Sequence, residues 1–328
     1  MKNPSASVQK LSVFIDALEP EIKRFKSEFQ DYLKSGVFVI DQINCFIVRG
    51  QGKQFRPMLT FLSAKLVGES SDLTVKSALI VELLHTATLV HDDIVDESDK
   101  RRGLPAVKKL WGNKIAVLYG DYLLAHSLTA MLELRDLRVF DILSMTSRRL
   151  AKGELVQAAK AKKLDINESV YLKMISDKTA ALISAAAELG ALTAGGDEVQ
   201  CEALNLYGEN LGMAFQIRDD ILDFIGREGL LGKPVGSDLK EGKITLPLIY
   251  SLENSQDGIR KEMLRAIRRR KYPKKVIEFV RNCNGSDYAQ RKAEGYAQKA
   301  ADCLNNFKDC QERELLLQMT EFAVRRNK

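Results

Sequence analysis

From Leu73 to Glu97 the chain reads "LTVKSALIVELLHTATLVHDDIVDE", 25 residues without glycine or proline. Apolar side chains recur there every three or four residues, the period of a helix with a buried face. At 1.5 Å per residue that is a rod of roughly 37 Å. A rod this long with an apolar stripe needs other long rods to lie against, which restricts the chain to a helical bundle. The rest of the sequence supplies them. "NKIAVLYGDYLLAHSLTAMLEL", "VFDILSMTSRRLAKGELVQAAKA", "ESVYLKMISDKTAALISAAAELGALTAGG" and "EVQCEALNLYGENLGMAFQIRDDILDFI" carry the same period. Paired glycines stop the third of these, and Asp197 is placed to cap the fourth. Residues 8–34 repeat the pattern with a break near Pro20. No segment alternates over strand length, and no repeat of fixed period occurs. The expectation is one all-α domain over residues 1–328. Its motif-bearing part spans about 50–252, and residues 253–328 continue the same bundle.

Hydrophobic residues make up 45% of the chain, enough for a large core. The five cysteines are odd in number and form no CxxC pair. Reduced thiols in a cytoplasmic setting are expected, rather than a disulfide framework or a zinc site. The first twenty residues lack the continuous apolar stretch of a signal peptide. No segment approaches the roughly 18 uninterrupted apolar residues of a membrane span. The net charge of +6 is uneven, with 18 Lys/Arg against 9 Asp/Glu from Gly258 to Lys328. The run "RAIRRRKYPKK" lacks the interleaved aromatics of a base-stacking surface. It reads as solvated helix faces, with no nucleic-acid partner and at most peripheral membrane contact.

Two acidic clusters share one spacing: Asp92, Asp93 and Asp96 in "DDIVD", and Asp219, Asp220 and Asp223 in "DDILD". On a helix the first and last members lie about 40° apart on one stripe, and the second sits about 60° to the side. His85 and Leu89 continue the first stripe, and Gln216 shares the second. One such cluster is commonly a solvated turn. Two, each ending a mostly apolar run, are costly to bury face to face without cations between them. Oxygen-only donors point to Mg²⁺, with Mn²⁺ the alternative, and such sites complete their shell with water and phosphate.

The cations of the sequence suit that chemistry. Arg101 and Arg102 follow the first cluster in "KRRG". Lys53 and Arg56 in "GKQFRP" open a helix, whose free N–H groups favour anions. "DKTA" supplies Lys178 and Thr179. Residues 226–242, "GREGLLGKPVGSDLKEG", hold five glycines in seventeen positions, with Lys233 inside and Lys243 just after. Any one of these is ordinarily a surface residue. Together they describe a site for two polyphosphates, one bridged by metal and the other held by Arg and Lys.

In this order, "GKQFRP", "DDIVDESDKRRG", "GELVQ", "KTA", "FQIRDDILDF" and "GKPVGSDLKEGKITLP" resemble the trans-type isoprenyl diphosphate synthases, or polyprenyl synthetases. The resemblance runs from about Gly52 to Leu252. It implies an all-helical fold around a deep central cavity, a homodimer, and three Mg²⁺ ions. Asp92 and Asp96 would hold two ions and Asp219 the third, with Asp93, Asp220 and Asp223 acting through water or through neighbouring side chains. It assigns Arg101, Lys178, Thr179, Gln216, Lys233 and Lys243 to an allylic diphosphate. Lys53, Arg56, His85 and Arg102 would hold isopentenyl diphosphate. The catalytic set it implies is Asp92, Asp96, Lys178, Asp219 and Lys233. In one departure from the family pattern, Gln51 and Gln54 stand where GGKR has its first glycine and its arginine. The matched Lys53 and Arg56 are kept, so only modest changes in affinity are expected.

In short-chain members, bulky aromatics at the fourth or fifth position before the first motif close the cavity. Here those positions are Thr88 and Ala87. Small side chains there predict a long product, octaprenyl-like or longer, of the kind used for a quinone side chain. Geranylgeranyl or hexaprenyl synthesis is the alternative within the family. A class I terpene cyclase is the alternative outside it.

Overall fold

The computed structural model describes residues 12–50, 52, 54–101, 103–163, 167–225, 236, 238–239, 242–269 and 273–326. It is all-α, as the periodicity requires. The first five helices are α1 Ser12–Ala17, α2 Glu19–Tyr32, α3 Phe38–Arg49, α4 Phe55–Val67 and α5 Asp72–Val95. Next come α6 Val107–Glu133, α7 Leu137–Lys163, α8 Glu168–Ile175, α9 Ala181–Thr193 and α10 Glu198–Ile225. The last five are α11 Leu246–Glu253, α12 Asp257–Arg268, α13 Pro273–Asn282, α14 Gly285–Cys303 and α15 Gln311–Arg325.

Local chemistry sets the boundaries. Pro20 lies in the first turn of α2, where its missing N–H is no loss. Ser71 and Thr74 form a reciprocal capping box at the start of α5. Asp197 accepts from the Gln200 amide at 2.8 Å, and Gln200 Oε1 accepts from the Asp197 amide at 3.1 Å, which starts α10.

Three features depart from the sequence expectation. Lys100–Arg101 (β1) and Leu104–Pro105 (β2) form a minimal antiparallel pair, with Arg101 opposite Leu104. Such a pair is too short to leave an alternating pattern. Gly112 bends α6 with a φ of 82°. Ser176–Ala180 is a π turn between α8 and α9, inside what the periodicity presents as one helix.

The α5 rod is central, packed on α2, α4, α6 and α9. The small side chains of Ala185, Ala186, Ala187 and Ala191 let α9 fit between α4 and α10. A second apolar core joins the C-terminal half of α10 to α8, α11 and α14. Thus α10 belongs to both cores and carries the second acidic cluster where they meet. By length and composition alone, α5 and α6 each hold an 18-residue window apolar enough to cross a membrane. The α5 window is 72% buried inside the bundle, whereas that of α6 is 39% buried. Leu118, Leu128 and Leu132 of α6 and Leu137 of α7 are exposed.

Candidate active site

Both acidic clusters lie at the C-terminal ends of their helices. Asp92 is in the last turn of α5 and Asp96 is its C-cap, while Asp219 and Asp223 lie in the last two turns of α10. Neither final turn contains a basic residue. A helix C-terminus is already the negative end of the helix dipole, so carboxylates there need positive charge from elsewhere.

That charge arrives from three other segments. Lys178 Nζ is 2.6 Å from Glu154 Oε1 and 3.8 Å from Asp92 Oδ2. Lys243 Nζ donates to Asp96 Oδ2 at 2.8 Å. Arg326 Nη2 pairs with Asp219 Oδ1 at 2.7 Å, with its guanidinium 3.5 Å above the Phe215 ring. The remaining three aspartates are buried and engaged by neighbours. Asp93 accepts from Arg101 Nε at 2.9 Å and Nη2 at 2.8 Å, across the β1–β2 hairpin. Asp220 accepts from the Tyr171 hydroxyl at 2.6 Å and Gln216 Nε2 at 2.8 Å. Burial holds its carboxyl well above the usual carboxylate range, and the charge of Asp238 adds to the effect. Asp223 Oδ2 accepts from the Asp238 amide at 3.2 Å.

Each DDxxD therefore divides by function of position. Asp92, Asp96 and Asp219 reach more open space, whereas Asp93, Asp220 and Asp223 brace the helix ends.

The π turn links the two clusters. On one side of it Lys178 faces Asp92. On the other, Thr179 Oγ1 donates to Gln216 Oε1 at 2.9 Å, and Gln216 passes the chain on to Asp220. Lys178, Thr179, Gln216, Asp220 and Lys243 line a cavity of about 110 Å³. A second cavity of about 70 Å³ is lined by His85, Asp93, Arg101, Glu82 and Gly50. Arg56 stands in the first turn of α4, beside Phe55, whose ring lies 5.4 Å from that of Phe215. The two cavities share no lining residue. Lys53, Arg102 and Lys233 lie outside the described residues, as does most of the glycine-rich 226–242 segment.

Four contributors were not singled out by sequence reasoning. Glu154 holds Lys178, and burial pushes its carboxyl up, against the pull of Lys178 and with the push of Asp92. "GELVQ" signalled it without giving it a task. Tyr171 and Arg326 belong to no motif. Gly153 explains itself only in three dimensions. A Cβ there would stand 2.9 Å from the Lys178 amide nitrogen and 3.2 Å from its Cα, so only glycine lets α7 touch the π turn.

The donor set suits hard divalent cations: carboxylate oxygens only, at helix ends in excess negative charge. Among the described residues no three acidic, histidine or cysteine side chains converge on one point. A bound ion would therefore draw only one or two ligands from the protein at a time, the usual arrangement for Mg²⁺ with phosphate.

A helical bundle with two carboxylate-bearing helix ends, their charges met by lysines and an arginine from other segments, is an isoprenoid synthase architecture. Residues 39–283 match the polyprenyl synthetase family. The octaprenyl diphosphate synthase of Haemophilus influenzae is 34% identical over 94% of this chain and 95% of that protein. The geranylgeranyl diphosphate synthase of Methanosarcina mazei is 35% identical over 86% of this chain and 88% of that one. A crystal structure of polyprenyl synthase from Caulobacter crescentus, complexed with calcium and isoprenyl diphosphate, superposes with a TM-score of 0.93. It is 36% identical and covers 98% of this chain and 99% of its own. The chain belongs to the polyprenyl synthetase family and is a prenyltransferase.

Gly153→Ala is expected to lower kcat/KM by about 100-fold, because it pushes Lys178 off position by a sizeable fraction of an ångström. Initial-rate assays beside a circular dichroism spectrum of retained helix check this. Full activity in a folded variant would show that the π turn tolerates displacement.

Proposed function

We propose that this chain is an all-trans polyprenyl diphosphate synthase that adds isopentenyl diphosphate repeatedly, by 1′–4 condensation, to an allylic diphosphate. The observation that carries the reading is the pairing of Asp92, Asp96 and Asp219 with Lys178, Lys243 and Arg326, beside one cavity lined by Lys178 and Lys243 and another lined by His85 and Arg101. Two anionic substrates need two such places.

Asp92, Asp96 and Asp219 are the proposed metal ligands. The calcium and isoprenyl diphosphate in the Caulobacter crescentus enzyme support a divalent cation here, with three Mg²⁺ the specific proposal. When bound, the ions supply positive charge to the departing pyrophosphate. Lys178, Thr179, Gln216, Lys243 and Lys233 orient the allylic diphosphate and add charge-assisted donors to it, whereas Arg101, which the resemblance assigns with them, lines the cavity of His85 and holds Asp93. Arg56, His85, Lys53 and Arg102 hold isopentenyl diphosphate on the other side. The apolar helix walls exclude water, which would otherwise trap the allylic cation as an alcohol. No described side chain is a strong general base toward the alkene carbon, so the released pyrophosphate is the proposed proton acceptor.

Three further readings complete the proposal. The exposed apolar faces of α6 and α7, with Leu132 at 67% and Leu137 at 80% exposure, support a homodimer built on those helices. The five cysteines are free thiols, which supports a cytoplasmic setting. The contacts of α14 along α10 support a single domain.

Thr88, a small side chain one turn before Asp92, is half-buried, which supports an octaprenyl-like or longer product. Similarity to a geranylgeranyl synthase keeps a shorter product as the second reading. Incubation with Mg²⁺, labelled isopentenyl diphosphate and each allylic primer in turn, followed by product chromatography, tests both. Products past geranylgeranyl are expected. A ladder ending there would overturn the long-chain part alone, and a cyclic product without isopentenyl incorporation would overturn the whole.

A further inference from the structure

A π turn is an unfavourable way to join two helices, and it persists only where surroundings hold it. Here it is clamped from three sides. Gly153 of α7 lies against its backbone at Lys178. On α10, a Cβ at Gly212 would stand 2.6 Å from Ala180 Cα, so that helix also touches the turn directly. The third contact is ionic. Arg149, one turn before Gly153 on α7, is half-buried with its guanidinium turned toward the π turn. Its Nε donates to Asp177 Oδ1 at 3.1 Å. Its Nη2 lies 3.1 Å from the Ser176 carbonyl oxygen, 2.9 Å from Ser176 Oγ, and 2.9 and 3.1 Å from the two Glu209 oxygens. Ser176 Oγ in turn donates to Glu209 Oε1 at 2.6 Å. Lys173 Nζ completes the coordination of Asp177 at 2.9 Å.

We infer that Arg149 is a positioning residue for the transfer reaction. It touches neither cavity, since it lines none of the described space around Lys178 or His85. What it holds is the far side of the turn whose near side presents Lys178 and Thr179. Asp177 and Lys178 are adjacent, so fixing the Asp177 carboxylate and the Ser176 carbonyl sets the register in which Lys178 meets Asp92. The planar guanidinium suits three acceptors from two helices at once, and a lysine ammonium on a flexible stem does not. Asp177 is 4% exposed at its side chain, so loss of Arg149 leaves a buried carboxylate short of a partner and pulls the turn out of shape.

The inference rests on the proposed role of Lys178 in holding the allylic diphosphate, and the experiment separates the two. Arg149→Met, Arg149→Lys, Lys178→Ala and Arg149→Met/Lys178→Ala would be compared in full-length protein. For Arg149→Met, the KM of the allylic primer is expected to rise and kcat to fall, together lowering kcat/KM by about 100-fold. The KM of isopentenyl diphosphate is expected to hold. Arg149→Lys is expected to recover part of the loss. In the Lys178→Ala background, Arg149→Met is expected to add little, because the two act through one contact. Hydrogen exchange at residues 176–180 is expected to quicken in Arg149→Met while α10 stays protected. Losses that multiply in the double variant, or equal changes in both substrates' KM, would overturn the inference. So would unchanged exchange in the turn, whatever the kinetics. An unchanged allylic KM in Lys178→Ala would instead overturn the assignment of Lys178, and the exchange measurement would then decide on Arg149.

Discussion

Asp92→Ala is expected to lower kcat by about 1,000-fold, the upper range for losing one electrostatic contact to a developing charge. The expectation follows from geometry rather than from acidity. Asp92 ends α5 with 16% of its side chain exposed, facing Lys178 across 3.8 Å. Without it, the proposed metal site would lose a ligand, and Lys178 is left wholly to Glu154, 2.6 Å away. Two effects then combine, weaker metal binding and a cation drawn toward the wrong carboxylate. Magnesium titrations should therefore show the half-saturating concentration rising as kcat falls. Calorimetry of Mg²⁺ with inorganic pyrophosphate should show the same shift with no turnover. Asp93→Asn is the internal comparison. Asp93 is buried under Arg101, so its loss should loosen the hairpin and leave the magnesium dependence nearly unchanged. Equal magnesium shifts in the two variants would mean that the division within the motif is wrong.

Thr88→Phe is expected to collapse the product distribution to short chains, with the first condensations continuing. Thr88 is four residues from Asp92, about 6 Å along the helix, where the proposed tail just longer than the primer would pass. Its hydroxyl donates to the His85 carbonyl oxygen at 2.8 Å, so the side chain lies along α5. A phenyl ring there has no such partner and must point away from the helix backbone. Ala87 differs, although it is the neighbouring position. It has 0% exposure and belongs to the main core. Ala87→Phe should lower the melting temperature by overpacking, at about 1–3 kcal/mol, instead of acting as a stopper. Chromatography of products from both variants separates the cases. Long chains from a folded Thr88→Phe enzyme would show that the tail leaves by another route.

The helices were legible because period, caps and breakers act over a few residues. Asp197 caps a helix and Pro20 opens one after a break, as their positions in the sequence suggest. The carboxylate stripes were legible for the same reason, since a four-residue spacing on a helix fixes a face. Lys178 and Lys243 could be named because they sit in compact motifs, yet their carboxylate partners could not be read from one strand of text. Arg326 gave no signal at all. It binds the Phe215 carbonyl oxygen across 111 residues of chain, and no local pattern encodes such a distance. The π turn escaped for another reason. One extra residue in a turn shifts the apolar stripe by less than the stripe's own width, so "MISDKTAALIS" still scans as an ordinary helix. The reason for Gly153 lies in the π turn it touches, which no local pattern in α7 reveals.

The two acidic helix ends bear on how long the protein survives as well as on what it does. Like charges gathered at the negative poles of α5 and α10 oppose folding, and the lysines and arginines opposite offset this only in part. Cations and diphosphate bound at the proposed site, which exists only in the folded chain, would stabilise it by mass action. Its resistance to heat and to proteases is then a property of the occupied enzyme. A cell short of isoprenoid precursors would hold a more fragile pool of it than a cell well supplied, with no change in how much is made.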